Sequence, residues 1–150
     1  MIDSKQLFRI YLSHMIRGPK GLDATDKEIQ DNIDKHIAIG TEIKAYLIDW
    51  EKMDGLPRTD LYIPAEHDEF VQLAYNKKYI NEEEILDIDC DIINKCSLMI
   101  TFGDPTRSRG MQIELQHAID NEIPVYHMPS MSVVAIKSLK FAIKLVIRGG

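Results

Sequence analysis

The chain has 150 residues, of which 45% are hydrophobic and 28% charged, proportions typical of one soluble globular domain and not of a disordered or fibrous protein. Its 18 Lys and Arg residues against 24 Asp and Glu give a net charge of −6, which argues against a general nucleic-acid binder, because such a protein needs a basic face for many phosphates. No apolar run approaches the ~20 residues of a transmembrane helix, and the first residues do not resemble a signal peptide, so we expect a cytoplasmic protein.

In chain order, short strand-forming runs alternate with segments whose apolar residues recur every three or four positions, the spacing of a helix. The predicted elements are a strand at 7–12, a loop at 13–21, a helix from about 25 to 50, a turn at 53–58, a short strand at 61–64, a short helix at 67–75, a helix from 81 to about 95, a strand at 97–102, a loop at 103–110, a helix through 121, a strand at 123–127 and a helix at 133–147. This alternation predicts a single α/β domain over residues 1–150. We expect a Rossmann- or flavodoxin-like, mainly parallel sheet of about four to five strands flanked by helices, with ligands outside the carboxyl ends of the strands.

Two acidic residues share the apolar faces of predicted helices. Asp89 lies four residues after Ile85, and Glu114 lies three residues after Met111, so helical geometry directs both carboxyl groups inward. A buried carboxylate without partners is costly, which makes two of them near adjacent strand ends a candidate site. The alternative is that each lies at the rim of its helix face, one position away from the inward direction.

The loop at 106–110 has the composition of an anion site. It brings a hydroxyl, two guanidinium groups and free backbone amides to the start of a helix, an environment that favours phosphate. Arg17 and Gly18 after the first strand are further candidates, whereas a serine at the position of Ser108, taken alone, is usually an ordinary helix cap. The chain contains neither a P-loop nor a Gly-x-Gly-x-x-Gly motif, which argues against a nucleotide triphosphatase or a dinucleotide oxidoreductase.

The histidines and cysteines give weaker signals. His14 lies in the first loop and is a candidate ligand contact, while His67 is either a ligand contact or a polar loop residue. His36 is predicted on a helix surface. Cys90 and Cys96 fall six residues apart in one predicted helix without a second pair, so we expect free thiols and not a zinc site.

Three blocks together resemble a known family. Residues 11–18 (YLSHMIRG), 89–100 (DCDIINKCSLMI) and 108–118 (SRGMQIELQHA) resemble, in order and spacing, the nucleoside 2-deoxyribosyltransferase superfamily. The chain looks most similar to the branch of nucleoside 5′-monophosphate N-glycosidases, which includes hydrolases of 5-hydroxymethyl-deoxyuridylate and of cytidylate. The similarity covers the first strand and residues 85–127, whereas residues 20–80 match only in outline.

The resemblance assigns roles to the two inward acids. Glu114 would be the nucleophile that attacks C1′ of the sugar, and Asp89 the acid that protonates the departing base. Tyr11 would hold Glu114 in position, although a buried strand-end tyrosine has the same sequence pattern. Such a pair follows the logic of retaining glycosidases, with a covalent glycosyl-enzyme intermediate that water resolves in a hydrolase and a second base resolves in a transferase. The resemblance implies no metal and no cofactor.

The choice of a nucleotide over a nucleoside depends on the family's phosphate site. Residues that match that site or lie beside it are His14, Ile16, Arg17, Gly18, Ser108, Arg109 and Gly110, with Ser130 or Ser132 as the serine that a partner subunit supplies in the family. His14 and Met15 replace the small Gly-Ser expected before Ile16. This change removes one phosphate-binding hydroxyl unless His14, Arg107 or Arg109 compensates.

The expected function is therefore hydrolysis of a pyrimidine deoxynucleoside 5′-monophosphate, with or without a 5-substituent on the base, to free base and deoxyribose 5-phosphate. The alternatives are base exchange between nucleosides, cleavage of an NAD-like nucleotide, and a nucleotide-sensing module that binds without cleaving. The resemblance implies a homodimer or higher oligomer. We expect a small-molecule partner and neither a nucleic-acid polymer nor a membrane.

Overall fold

The computed structural model describes residues 7–16 and 23–149, in which strands and helices alternate as the sequence predicts. The strands are β1 (Phe8–Ser13), β2 (Thr59–Tyr62), β3 (Leu98–Phe102) and β4 (Val125–Met128). The helices are α1 (Asp26–Met53), α2 (Asp68–Asn76), α3 (Glu82–Ile93), α4 (Arg109–Asp120) and α5 (Val133–Gly149), and a short 3-10 helix, Pro64–His67, precedes α2. All four strands are parallel, in the order β2-β1-β3-β4. The predicted α/β fold with a mainly parallel, Rossmann- or flavodoxin-like sheet is confirmed, and the observed strand order is the flavodoxin-like one.

Local sequence signals determine where α1 and α3 begin. Thr25 accepts a hydrogen bond from the backbone of Glu28, whose side chain reaches back to the Thr25 amide, so α1 starts with a capping box. Asn81 and Glu84 make the same exchange at the start of α3. α3 ends at Ile93, so the prediction that Cys96 lies in the same helix as Cys90 is wrong, although both cysteines are free thiols.

The alternation of side chains along the strands divides the core into two layers. Ile10 and Leu12 of β1 face α1 and α5 in the larger apolar cluster. Tyr11 faces the opposite side, where it packs with Ile93 of α3 and Ala118 of α4. Because successive strand residues point to opposite faces, Ser13 shares the face of Tyr11. The α3 and α4 side of the sheet thus receives the polar residues at the end of β1.

The chain order places a crevice between β1 and β3. β1 connects through α1 to β2 on one side, and β3 connects through α4 to β4 on the other, so neighbouring strands lead in opposite directions. Ser13 and Thr101 are paired in register at the carboxyl ends of these two strands. In open α/β sheets this switch point is where ligands bind. Over residues 7–16 and 23–149, none of the helices has the length and apolar character to span a membrane.

Candidate active site

A cleft of about 400 Å³ opens at the β1–β3 switch point. Its lining comes from the segment after β1, from α2 and α3, and from the start of α4. The lining residues include His14, Met15, Ile16, Glu82, Asp89, Arg107, Ser108, Arg109, Gly110 and Glu114. The cleft therefore brings together both predicted acids and the predicted anion-binding loop.

The carboxyl group of Glu114 has a hydrogen-bond donor on each of its oxygens. The Tyr11 hydroxyl donates to Oε2, and the Ser13 hydroxyl donates to Oε1 at 2.8 Å. Glu114 is only 6% exposed, because α4 directs it toward the sheet between Met111 and Ala118. The two hydroxyls fix the plane of the Glu114 carboxyl group, and Glu114 also lines the cleft.

Asp89 is the second buried acid of the cleft. It is 9% exposed and lies one turn before Ile93 on the inward face of α3, so the prediction that both acids point inward is confirmed. Burial raises the pKa of Asp89 to about 6. Burial also raises the pKa of Glu114 to about 7, with a further increase from the charge of Asp89, against the opposing effect of the Tyr11 and Ser13 hydrogen bonds. Both groups are thus able to hold or release a proton near neutral pH.

Tyr11 is held as a neutral donor. Burial, followed by the charges of Glu114 and Asp89, raises the pKa of its hydroxyl well above the ordinary value. Its ring stacks on Tyr62 of β2 with centroids 5.6 Å apart, and Tyr62 also stacks with His67 at 5.0 Å. Tyr11 is therefore both a buried core residue and a hydrogen-bond partner of Glu114. The two interpretations that its sequence position allowed both apply.

The start of α4 combines a cap with two arginines. Ser108 Oγ accepts a hydrogen bond from the Met111 amide at 3.2 Å, so it caps the helix while it lines the cleft. Arg109 forms an ion pair with Glu82 at 3.3 Å, and Arg107 one with Asp104 at 3.6 Å. Both guanidinium groups are solvent-exposed, and each pair leaves further donors for an anion. Arg17 and Gly18, the other predicted phosphate contacts, lie outside the described residues.

The segment after β1 is anchored by α1. The Asn32 amide donates to the carbonyl oxygens of Met15 and Ile16, to the latter at 2.9 Å. This side chain fixes the backbone path between β1 and the cleft wall. Its role was not apparent from the sequence, because the contact joins residues that are 16 and 17 positions apart.

His14 occupies an interior position in the cleft wall. It is 4% exposed and stacks on His36 of α1 with ring centroids 4.2 Å apart and planes at 11°. Burial, followed by the neighbouring His36, lowers the pKa of His14 to about 3. The ring is therefore neutral, and the expectation that His14 could supply a positive charge for a phosphate is not supported.

His36 is not on the helix surface as predicted. It is 4% exposed, donates from Nδ1 to the Asn32 carbonyl at 2.8 Å and meets the edge of Phe102 at 6.0 Å. Its burial depends on His14 and Phe102, which come from two strand ends distant in sequence. His36 nevertheless lies three residues after Ile33 and seven before Ile43, on the apolar stripe of α1, so helical periodicity was the available signal for its burial.

Ser130 and Ser132 do not reach the cleft within this chain. Ser132 Oγ accepts from the Ala135 amide at 3.1 Å and Ser130 Oγ from the Ser132 amide at 3.3 Å, so both organise the start of α5. Ser13, in contrast, was missed as a site residue. The available signal was its spacing of two from Tyr11, which puts both hydroxyls on one face of β1.

No model of a known protein family matches the chain, and no curated protein matches it in sequence. What the structure defines is a class: a flavodoxin-like α/β domain with two buried carboxyl groups in a cleft at the switch point of its sheet. Two titratable acids with raised pKa values in such a cleft form a site suited to acid–base or nucleophilic chemistry.

Proposed function

We propose that the cleft hydrolyses the N-glycosidic bond of a pyrimidine 2′-deoxynucleoside 5′-monophosphate. The observation that carries this proposal is the pair of buried acids. Glu114 has a donor on each oxygen, and Asp89 has no partner of opposite charge among residues 7–16 and 23–149. The resemblance of residues 11–18, 89–100 and 108–118 to the nucleoside 2-deoxyribosyltransferase superfamily supports the same chemistry.

In the first step, a Glu114 carboxylate oxygen attacks C1′ of the sugar. The bond from C1′ to the base nitrogen breaks, its electron pair goes to the base, and Asp89 gives its proton to the base. Tyr11 and Ser13 orient the nucleophile by their hydrogen bonds. The product of this step is a covalent glycosyl ester of Glu114 and a free base.

In the second step, water attacks C1′ of the ester and releases deoxyribose 5-phosphate. The Asp89 carboxylate takes the proton from that water, and Glu114 leaves as a carboxylate. Both acids return to their starting protonation states, so the cycle needs no other reactant. A base in place of water would give the base-exchange reaction of a transferase.

The substrate's phosphate is assigned to the start of α4. Arg107, Ser108, Arg109 and Gly110 line the cleft at the first turn of this helix, and both arginine side chains are exposed. Helix N-termini with neighbouring guanidinium groups favour phosphate because the backbone amides and the helix dipole both attract negative charge. The superfamily resemblance further implies a homodimer in which a partner subunit completes this site, and we include that oligomer in the proposal.

The proposal predicts a bell-shaped dependence of kcat/KM on pH. Attack needs ionised Glu114 and base departure needs protonated Asp89, so the active form carries one proton on the pair. With pKa values raised to about 7 for Glu114 and about 6 for Asp89, both groups are protonated below this range and both are ionised above it. Between these values the single proton lies mainly on Glu114, so the active form, with the proton on Asp89, is a minor fraction of the protein, about a tenth. We expect the maximum between pH 6 and 7, and a profile that is flat from pH 5 to 9 would contradict the mechanism.

The first experiment is a substrate panel. The purified protein is incubated with pyrimidine nucleosides and their 5′-monophosphates, in ribo and deoxy forms, and free base is measured by chromatography. Glu114→Gln is the inactive variant, and Asp87→Asn, an exposed acid two residues from Asp89, is the matched control. We expect base release from deoxynucleoside monophosphates, lost in Glu114→Gln and retained in Asp87→Asn.

Two further measurements distinguish the hydrolase from the transferase and test for the covalent intermediate. Adding a second free base to the reaction reveals a transferase if a new nucleoside forms. Intact-mass analysis of acid-quenched protein tests for the glycosyl ester on Glu114. If the wild type releases no base from any member of the panel, while a nucleotide raises its thermal stability, the site binds without cleaving and the proposal is wrong.

A further inference from the structure

Asn32 of α1 is the side chain that holds the cleft wall after β1. Its amide nitrogen donates to the carbonyl oxygens of both Met15 and Ile16, to the latter at 2.9 Å. Asn32 is half-buried and does not line the cleft, whereas Met15 and Ile16 both belong to its lining. One side chain therefore secures two successive carbonyl groups of the wall from the side of α1.

The bond to Met15 also determines where the Ile16 amide points. The described residues contain no cis peptide bond, and in a trans peptide the C=O and N–H bonds point in opposite directions. Because the Met15 C=O is directed at Asn32, the N–H of the same peptide group, that of Ile16, is turned away from Asn32. Among residues 7–16 and 23–149, this amide has no hydrogen-bond partner.

We propose that Asn32 is a positioning residue for the substrate's phosphate, an inference that rests on the proposed N-glycosidase function. By holding the Met15 and Ile16 carbonyls on the side of α1, it leaves the Ile16 amide as a donor to an anion in the cleft. A carbonyl oxygen in the place of that amide would repel the phosphate, because both groups only accept hydrogen bonds and carry negative charge on oxygen. The orientation of this peptide group thus decides between binding and repulsion, and Asn32 sets it.

The side chains around this peptide group leave the donation to the backbone. His14 and Met15, which precede Ile16, offer no donor to an anion. The ring of His14 is buried against His36, and Met15 has no polar hydrogen. Ser108, at the start of α4, lines the same cleft of about 400 Å³. Since this volume is small for a ligand site, a nucleotide in the cleft lies close to both walls.

The first test is steady-state kinetics with 2′-deoxyuridine 5′-monophosphate. Asn32→Leu keeps a side chain of similar shape and removes both donated hydrogen bonds. We expect KM to rise about tenfold, the effect of weakening one hydrogen bond to a charged group, while kcat changes less than twofold. Gln30→Leu is the matched control, because it removes an exposed amide of α1 that donates to Asp34 instead. The control should keep the wild-type KM and kcat.

The second test observes the Ile16 amide directly and does not depend on turnover. Glu114→Gln, the inactive variant, is titrated with 2′-deoxyuridine 5′-monophosphate while the backbone amide proton of Ile16 is followed by NMR. We expect a downfield shift of this proton, the sign of a hydrogen bond to an anion, and loss of the shift when Asn32→Leu is added. Titration with 2′-deoxyuridine, which lacks the phosphate, should give no such shift.

The outcomes separate the positioning role from the proposed reaction. A KM that rises no more in Asn32→Leu than in Gln30→Leu would overturn the inference, as would a loss confined to kcat, which a general structural defect also produces. If the wild type releases no base, but the phosphate shifts the Ile16 amide and the shift depends on Asn32, the inference stands and only the hydrolase function is rejected. An Ile16 amide that ignores the nucleotide, or responds equally without Asn32, overturns the inference itself.

Discussion

Tyr11 and Ser13 donate to the same carboxyl group from the same face of β1, and the two donors have separate consequences. Each hydrogen bond stabilises the ionised form of Glu114 and so opposes the effect of burial on its pKa. Each also restricts rotation of the carboxyl group. Tyr11 and Ser13 therefore influence both the orientation and the protonation of the proposed nucleophile.

We expect Tyr11→Phe to slow the proposed reaction about 10- to 100-fold at pH 7 and to move the acidic limb of the rate profile to higher pH. A hydrogen bond to a charged group contributes about 1.5–3 kcal/mol, so its loss favours protonated Glu114 and shifts that limb by about one pH unit or more. The measurement is kcat/KM from pH 5 to 9.

Tyr62→Phe is the matched control for this prediction. Tyr62 stacks on Tyr11 at 5.6 Å, but its hydroxyl is not bonded to Glu114, so its removal should leave the limb in place. An equal shift in both variants would show that packing of the rings, and not the hydrogen bond, controls the titration.

At this scale the sequence predicts the acids better than their partners. Asp89 and Glu114 were detected because each lies on the apolar stripe of its own helix, a pattern within a dozen residues. The stacking of His14 on His36, and the bond from Asn32 to Met15, join segments about 20 residues apart through the fold. No local periodicity carries that information.

At the scale of elements, the predicted strands and helices lie close to the observed ones because caps and apolar spacing mark them locally. The helix predicted from 81 to about 95 is Glu82–Ile93, and the strand predicted at 61–64 is Thr59–Tyr62, followed by a 3-10 helix that begins at Pro64. Pro64 fixes its own φ and has no amide proton to donate to a neighbouring strand. The strand therefore ends before Pro64, earlier than the apolar residues at 61–64 suggested.

The packing of α1 on this 3-10 segment depends on Gly40. A Cβ built at Gly40 lies 2.2 Å from Cδ1 and 2.8 Å from Cγ1 of Ile63, a residue that is almost fully buried. Glycine in a helix interior costs about 1 kcal/mol relative to alanine, yet here it lets the helix approach β2 closely. The local propensity is overridden by tertiary contact.

We therefore expect Gly40→Ala to lower the free energy of unfolding by about 1–3 kcal/mol, the usual cost of an overpacked core. Chemical denaturation measures it. In an Ile63→Val background, which removes Cδ1, the same substitution should cost less, because the closest of the clashing atoms is gone. A Gly40→Ala protein more stable than the wild type would show that Ile63 moves aside without cost.

For the whole molecule, the two buried acids oppose folding as the pH rises. The pKa of Glu114 is raised by burial from 4.5 to about 7, so between these values the folded chain binds a proton that the unfolded chain has released. Stability must then fall as the pH increases through this window and stay low above it. A site prepared for chemistry is in this way a source of instability for the domain that contains it.

Glu114→Gln should accordingly abolish turnover and stabilise the protein at pH 8. The amide accepts from one hydroxyl and donates to the other, so Tyr11 and Ser13 remain paired while the buried charge is removed. From the pKa change the gain is at most about 3 kcal/mol, or several degrees in Tm for a domain of this size. At pH 4.5 the wild-type carboxyl group is already protonated in the folded state, and the gain should shrink to a small fraction of its value at pH 8.

Thermal unfolding of the wild type, Glu114→Gln and Asp87→Asn at both pH values measures this gain in stability. Asp87→Asn should show no such dependence on pH, because Asp87 is exposed. A Glu114→Gln protein stabilised equally at pH 4.5 and pH 8 would mean that the wild-type carboxyl group is not buried as a charge, and the proposed nucleophile would lose its physical basis.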